Sequence, residues 1–456
     1  MSDFFSYSKP VFTASAPGRM DVMGGIADYS GALLLQLPIA AITTVSIQER
    51  DDDLFYCRTQ LSSSKRYDYQ ISCEKIANRS YAEAGRIIKE QEGGDWAAYL
   101  LGCFIVLQQE KNLPLSGANI LVRSAVPWGK GVSSSAALEV AAMSAINEMY
   151  QLALNEIELP LLAQQVENQV IGAPCGLMDQ LAVYLGQKNK LLPLICQPHT
   201  VFDPIVIPRG VGFCGIDSGI RHAVSGTSYS DVRTSAFMAY SLIAQAEGAS
   251  VQDLELAKRT NDYAHLPYNG YLSNIPVSVF ESSFKKILPI SITGKDFLER
   301  AGCSIDNATV IDPAKTYYPL PCGRHPVYEN FRVKQFLLGL QAFAKHPDKT
   351  GLLTSLGELM LQSHSSYSAV GLGNRYTDEL VNMVLEKGPA AGVFGARVSG
   401  GGNGGTVCVL FAGKEGKQTL KEIYLCYKKK SGKNVFFFSG SCNGAFYLNK
   451  QENYMS

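Results

Sequence analysis

The stretch Val126–Ala142, VPWGKGVSSSAALEVAA, sets two glycines and three consecutive serines ahead of an alanine-rich run. Gly129 and Gly131 allow a tight backbone that can approach an anion closely. Ser133, Ser134 and Ser135 then open a helix, whose free N–H groups and dipole favour a phosphate at the N-terminus. Their hydroxyls suit phosphate oxygens or Mg²⁺. The order differs from the common phosphate loop, GxxxxGK then Ser or Thr, because Lys130 lies between the glycines. A serine-capped helix behind a glycine turn would use the same residues. Asp179, in GAPCGLMDQLAVYLG (Gly172–Gly186), stands among Leu177, Met178, Leu181 and Ala182. A carboxylate there needs a partner or a chemical task. A helix N-cap or a structural ion pair would answer equally well. Phe394–Phe411, FGARVSGGGNGGTVCVLF, carries Gly400, Gly401, Gly402, Gly404 and Gly405 between two strand-like runs. A hairpin needs fewer glycines, so this backbone is expected to pass close to a ligand. A flexible loop is the plain alternative. In GGIADYSG, Gly24–Gly31, Asp28 and Tyr29 follow three residues with no polar side chain.

Elements must hold these residues in place. Apolar alternation predicts strands over Val11–Ser15, Leu33–Leu37, Ile42–Gln48, Asn119–Ala125, Val211–Ile216, Phe394–Ser399, Thr406–Phe411 and Val435–Phe438. Helical spacing predicts helices over Trp96–Gln108, Ser133–Met149, Leu159–Ile171, Tyr229–Ala246, Leu353–Ser366, Asp378–Glu386 and Lys417–Tyr427. Pro17-Gly18 reads as a turn. Tyr29–Gln48 is long and uncharged, but Gln36, Pro38, Thr43, Thr44 and Ser46 make it two strands joined by a turn rather than a membrane span. The region near 250–325 has irregular elements, prolines and aromatics, and reads as an insertion. Strands and helices alternate without regular βαβ spacing, which favours α+β over a doubly wound sheet. The 456 residues, 46% hydrophobic and 18% charged, suit a globular chain of more than one domain. Lys+Arg and Asp+Glu are both 41, so no basic excess marks a nucleic-acid or anionic-membrane binder. The 11 cysteines are scattered singly without CxxC, as in a reduced cytoplasmic protein. The 6 histidines lack zinc-site spacing, and MSDFFSYSKP lacks the pattern of a secretory signal.

In order, and across residues 16 to 406, APGRMDVMGGIADYSG, PWGKGVSSSAALEVA, PCGLMDQ and GARVSGGGNGGT resemble the signature motifs of the GHMP kinases, the superfamily of galactokinase, homoserine kinase and mevalonate kinase. IDSGIRHAVSGTSYSDVR (Ile216–Arg233), RHPVYENFRVK (Arg324–Lys334), IDPAKTYYPLP and SHSSYSAVGLGN resemble the galactokinase-like sugar kinases, most closely the L-arabinokinases. The resemblance implies a ribosomal S5-like domain over 1–207 and a ferredoxin-like domain over 208–456, with the active site in the cleft between them. It implies ATP as phosphoryl donor, Mg²⁺ as metal and a small sugar as acceptor, with no nucleic-acid or membrane partner. Gly129, Lys130, Gly131, Ser133, Ser134 and Ser135 would form the phosphate loop, although many galactokinases carry a neutral residue in place of Lys130. Ser134 and Glu167 would hold Mg²⁺. Trp96 and Tyr99 would line the adenine pocket. Asp179 would act as base beside the anomeric hydroxyl, paired with Arg19, and Asp28, Gly176 and Tyr229 would hold other sugar hydroxyls. This set favours an enzyme over a non-catalytic sugar sensor.

Galactokinases carry a Glu and a His in place of Gly25 and Ile26, directed toward the exocyclic C6 hydroxymethyl of the sugar. L-arabinose has the same ring hydroxyls and lacks that group. Retained polar groups would be left unsatisfied, whereas Ile26 can cover the bare ring edge. The implied reaction is ATP-dependent formation of L-arabinose 1-phosphate, with D-galactose 1-kinase as the alternative. Ile26→His with Gly25→Glu is then expected to shift preference toward galactose.

Overall fold

Two long strands carry the N-terminal motifs, β1 Phe12–Met23 and β2 Leu33–Glu49. The computed structural model, which describes residues 4–61, 66–173, 175–221 and 227–452, runs β1 straight through Pro17-Gly18, where the sequence predicts a turn. The glycine serves a close approach instead. A Cβ on Gly18 would lie 2.6 Å from Val132 O, and the next residue's N–H donates to that same oxygen at 3.1 Å. β2 is likewise one strand rather than two. Its pairing with β5, Ala118–Ser124, begins at Thr43, so Pro38 lies outside that ladder and its missing N–H costs no bond there.

With β3 Leu54–Leu61, β4 Arg66–Ser72, β6 Lys190–Cys196, β7 His199–Val201 and β8 Ile205–Val206, these strands form an eight-stranded sheet. Its order is β4-β3-β5-β2-β6-β7, with β1 on β2 and β8 on β6. β3 and β4 escape the apolar-alternation reading because their outer faces are charged, as in the Arg58–Asp68 pair at 2.8 Å. β9 Val211–Asp217 opens a second sheet, and a short separate antiparallel pair, β10 Ile292–Thr293 and β11 Thr316–Tyr317, follows it in the chain. That sheet adds β12 Val393–Val398, β13 Thr406–Ala412 and β14 Phe437–Ser439, in the order β12-β13-β9-β14. Most pairings are antiparallel, and β3 with β5 is parallel.

The chain forms two compact units. One holds the residues up to Met20, Gln36–Leu192 and the chain from Phe438 onward; the other holds Asp21–Leu35 and Pro193–Phe437. This departs from a single boundary at 207/208. Residues 21–35 group with the second unit because Glu329, Tyr367 and Asn330 accept their backbone N–H groups. The C-terminal segment returns to the first unit, where Gly444 N donates to Gly186 O at 2.7 Å.

In the first unit, helix Ser134–Met149 is buried at every position from Ala136 to Ile146, as its apolar composition requires. The predicted helix Leu159–Ile171 is an α-helix, Glu158–Gln165, followed by a π-helical turn, Val166–Ile171. Such turns recur at functional sites, and this one carries Glu167. In the second unit a helix of 27 residues, Pro319–Lys345, runs through Pro326, whose presence hides it from a sequence reading. Region 250–325 contributes Leu254, Phe280, Phe284 and Phe297 to one core cluster with Tyr29, Tyr229 and Phe237. Among the described residues no helix is long and apolar enough to cross a membrane.

Candidate active site

In the first unit, the Arg19 guanidinium joins a carboxylate to a glycine loop. Its Nη1 donates to Gly131 O at 2.8 Å, while Nε and Nη2 meet Asp179 Oδ1 at 2.9 and 2.7 Å. The side chain of Arg19 is 4% exposed and that of Asp179 25%. Both guanidinium contacts fall on one oxygen, so Asp179 Oδ2 accepts no hydrogen bond from the described residues. Asp179 lies in the first turn of helix Met178–Leu185, where a negative charge is favoured by the helix dipole. The glycine loop is left-handed at Gly129 (φ 69°), Gly131 (φ 70°) and Ser133 (φ 56°). For serine this conformation carries strain. Ser133 Oγ is buried without a hydrogen-bond partner, at the start of the helix that would receive a phosphate.

Glu167 is buried next to this pair. Ser135 Oγ donates to its Oε1 at 3.1 Å, and Gln180 Nε2 donates to its Oε2 at 3.0 Å. Gln180 Nε2 also reaches Glu139 Oε2 at 3.1 Å. Burial pushes the Glu167 carboxyl up to about 7, and the charge of Asp179 adds to the rise. Burial, then Glu167, drives Glu139 well above the usual carboxylate range. A divalent cation would relieve this crowding of negative charge. The residues therefore fit Mg²⁺, and Ser135 rather than Ser134 is the hydroxyl that meets Glu167 here. Among the described residues no group of three or more acidic, His or Cys side chains could hold a metal. Phosphate oxygens and water would complete the shell, as is usual for Mg²⁺.

Trp96 and Tyr99 lie on helix Gly94–Lys111. Trp96 Nε1 is buried with no acceptor. The Tyr99 ring meets Trp128 edge-on at 5.5 Å, and Trp128, beside the glycine loop, is 42% exposed. Gly176 and Lys130 are partly exposed on their loops.

In the second unit, Gly25–Ser30 is a short 3₁₀ helix held by its backbone donors. Gly24 N donates to Glu329 Oε1 (3.2 Å), Gly25 N to Asp21 Oδ1 (3.2 Å), Ile26 N to Tyr367 Oη (2.9 Å) and Tyr29 N to Asp28 Oδ1 (2.7 Å). Two of these acceptors, Glu329 and Asp21, belong to a buried ionic network. Arg397 pairs with Asp21 at 2.6 Å, both fully buried, and Arg332 pairs with Glu329 at 2.7 Å. Ser363 Oγ donates to Glu329 at 2.6 Å and accepts from Arg397 Nε at 3.0 Å. Burial alone would raise Glu329, but Arg332, His325 and Arg397 hold it at about 2. Burial lowers His325 to about 4, so its imidazole stays neutral. The motifs RHPVYENFRVK, SHSSYSAVGLGN and GARVSG thus converge on the support of one short segment.

Asp28 and Tyr229 are buried, and Tyr229 meets Tyr29 edge-on at 6.3 Å. Arg233 lies over the Tyr29 ring at 5.6 Å and binds Asp306 through two bonds, 3.0 and 2.8 Å. Residues 222–226 of the motif before Tyr229, and Pro174 of PCGLMDQ, lie outside the described residues.

One expectation needs correction. Gly25 has no room for a glutamate: its φ is +48°, and a Cβ would stand 1.7 Å from Tyr367 Oη. Gly25→Glu with Ile26→His therefore cannot be a simple change of polarity. The glycines of 400–405 also answer to this chain's own packing. Gly400, Gly402, Gly404 and Gly405 have φ of 74°, 79°, 114° and 76°. A Cβ on Gly402 would lie 2.9 Å from Tyr367, and one on Gly404 2.9 Å from Ile220.

Glu139, Gln180, Trp128, Tyr367 and Arg397 were not singled out by the sequence. Trp128 and Gln180 had a signal, being an aromatic and an amide next to the loop and to Asp179. The others meet partners as many as 376 residues away, which spacing cannot reveal.

Comparison with known proteins places these features. The GHMP kinases N terminal domain matches residues 98–187, and GHMP kinases C terminal matches residues 341–431. An L-arabinokinase of Arabidopsis thaliana is 37% identical over 487 residues, covering 97% of this chain and 46% of the relative. The chain thus spans under half the length of that curated relative. A galactokinase of Chloroflexus aggregans is 28% identical over 431 residues, covering 93% of this chain and 90% of the relative. Among solved structures, Lactococcus lactis galactokinase complexed with galactose aligns with a TM-score of 0.71 at 20% identity, covering 97% of this chain and 96% of the other. Methanococcus jannaschii mevalonate kinase aligns with a TM-score of 0.54 at 14% identity, covering 96% and 99%. At such identities the structures establish the fold, two domains of mixed helices and sheets.

Proposed function

For a chain that belongs to the GHMP kinases and carries both of their domains, we propose the activity of a sugar 1-kinase that transfers the γ-phosphoryl group of ATP to the anomeric hydroxyl of L-arabinose. The observation that carries the chemistry is the asymmetric grip on Asp179. Arg19 binds Oδ1 and the Gly131 carbonyl together, which leaves Oδ2 for a proton. As the anomeric oxygen bonds to phosphorus and the bond to the β,γ-bridging oxygen breaks, Asp179 Oδ2 takes the hydroxyl proton and ADP leaves. Arg19, always charged, keeps Asp179 oriented and stabilises developing negative charge on the attacking oxygen. The Gly129–Ser135 loop and its helix hold the phosphates, Ser133 supplying a hydroxyl with no other partner. Trp96, Tyr99 and Trp128 offer aromatic surface to the adenine. Glu167 and a serine of the triplet, Ser134 or Ser135, would hold Mg²⁺, which would supply neutralisation of phosphate charge.

The pentose assignment rests on the sugar segment. Gly25 and Ile26 present no polar side chain, while Asp28 and Tyr229 remain for ring hydroxyls, with Gly176 contributed by the PCGLMDQ loop. The identity of 37% to an L-arabinokinase, against 28% to a galactokinase, supports the same reading. The eleven unpaired cysteines suit a cytoplasmic setting. The test is ADP release with ATP and Mg²⁺ against L-arabinose, D-galactose and glucuronate. L-arabinose is expected to exceed D-galactose by about tenfold to a hundredfold in kcat/KM. Equal or better use of D-galactose would return the chain to the galactokinases, and binding of a sugar without turnover would make it a sensor.

A further inference from the structure

Tyr367 is fully buried, yet its hydroxyl lies within the backbone of the sugar segment. It accepts Ile26 N–H at 2.9 Å and donates to Gly400 O at 2.8 Å. One hydroxyl thereby satisfies two buried main-chain groups from distant parts of the sequence. The ring is fixed from several sides. Arg397 lies over it at 5.2 Å, His325 meets it edge-on at 5.4 Å, and Gly402 approaches so closely that a Cβ there would lie 2.9 Å from its Cδ1. Rotation away from Gly25 is therefore obstructed. A Cβ on Gly25 would meet Tyr367 Oη at 1.7 Å and both Cζ and Arg397 Nη2 at 2.9 Å. Any side chain at 25 and this tyrosine in its present place are mutually exclusive.

We propose that Tyr367 is a specificity-determining positioning residue for the sugar. It fills the space from which a side chain at position 25 would arise, and through Ile26 N–H it fixes the segment that presents Asp28. The inference rests on the pentose-kinase reading above. A chain with Tyr367 must keep glycine at 25, so it has no carboxylate there for an exocyclic hydroxymethyl. Conversely, a polar side chain at 25 requires a smaller residue at 367. Tyr367 acts through the backbone of 24–31 and through the room it denies, so its effect belongs to sugar binding rather than to phosphoryl transfer.

The experiment uses the full chain and the variants Tyr367→Phe, Tyr367→Leu, Gly25→Glu and Gly25→Glu/Tyr367→Leu. Measurements are Tm, KM for L-arabinose, D-galactose and ATP, and kcat at saturating sugar. Tyr367→Phe keeps the ring and removes only the hydroxyl. It should raise KM for L-arabinose by about tenfold, the scale of buried hydrogen bonds lost, with KM for ATP and saturating kcat within about twofold. A merely structural residue would lower Tm and leave that ratio of constants unchanged. Gly25→Glu alone should lower Tm by several degrees, and adding Tyr367→Leu should recover half or more of the loss, a coupling expected only of residues in contact. The double variant should raise the galactose-to-arabinose ratio of kcat/KM by about tenfold. Unchanged KM for L-arabinose in Tyr367→Phe, or additive Tm changes in the double variant, would overturn the inference. If the unmodified chain turns over neither sugar, the kinase reading fails, while the Tm coupling between positions 25 and 367 still decides whether the two residues exclude each other.

Discussion

Asp179→Asn separates the two roles of this carboxylate. The amide keeps an oxygen for Arg19 Nε and Nη2, now at 2.9 and 2.7 Å from Oδ1, so the guanidinium retains its partner and its link to Gly131 O. What is lost is the charge and the proton-accepting Oδ2. Weakening a charged hydrogen bond to a neutral one should cost about 1–2 kcal/mol of stability. Loss of a general base should lower kcat by about 10²- to 10⁴-fold, or roughly 3–5 kcal/mol of barrier. Asp179→Ala differs, because it strands an almost fully buried guanidinium (4% exposed) and should cost about 3–5 kcal/mol of stability. The assay is ADP release at saturating sugar and ATP, with sugar affinity by calorimetry and Tm by scanning. A kcat for Asp179→Asn within threefold of the unmodified chain, alongside a lowered Tm, would refute the base assignment. Asp179 would then be only the structural partner of Arg19.

Glu167→Gln keeps the shape and the Ser135 contact while removing the charge, and should raise the Mg²⁺ concentration for half-maximal rate by about tenfold or more; an unchanged titration would place the metal elsewhere. Trp128→Ala removes a partly exposed ring that meets Tyr99 edge-on, so KM for ATP should rise about threefold to tenfold while KM for sugar stays constant. His325 falls from 6.5 in its ordinary state to about 4 through burial, so the unfolded chain takes up this proton first on acidification. Its contribution is present above pH 6.5 and is lost as pH falls toward 4; the interval corresponds to roughly 3 kcal/mol. Tm should drop over that range in the unmodified chain, and less steeply in His325→Gln.

Candidate chemical groups were legible from local spacing. Glycines ahead of a serine triplet can belong to an anion-binding turn because backbone freedom and helix N–H groups are properties of neighbouring residues. Asp179 stood out because a carboxylate among leucines is costly. Most strands and helices that carry these residues were also legible, since burial of one face repeats along each element. The failures have a common cause. Pro17-Gly18 looks like a turn until Val132 O is seen beside Gly18, and Pro326 looks like a break until the helix around it is seen packed. The glycines of 400–405 also pack against Tyr367, Leu372 and Ile220, neighbours that their spacing does not reveal. The sequence by itself determined the residue types, most of the regular elements that carry them and the family of reactions they suit. Only the tertiary structure decided that Glu329, Tyr367 and Arg397 support residues 24–31 and that Gly25 must remain glycine while Tyr367 keeps its place. Hydrogen bonds, ion pairs and excluded volume act over ångströms in space, and their partners here lie hundreds of residues apart along the chain.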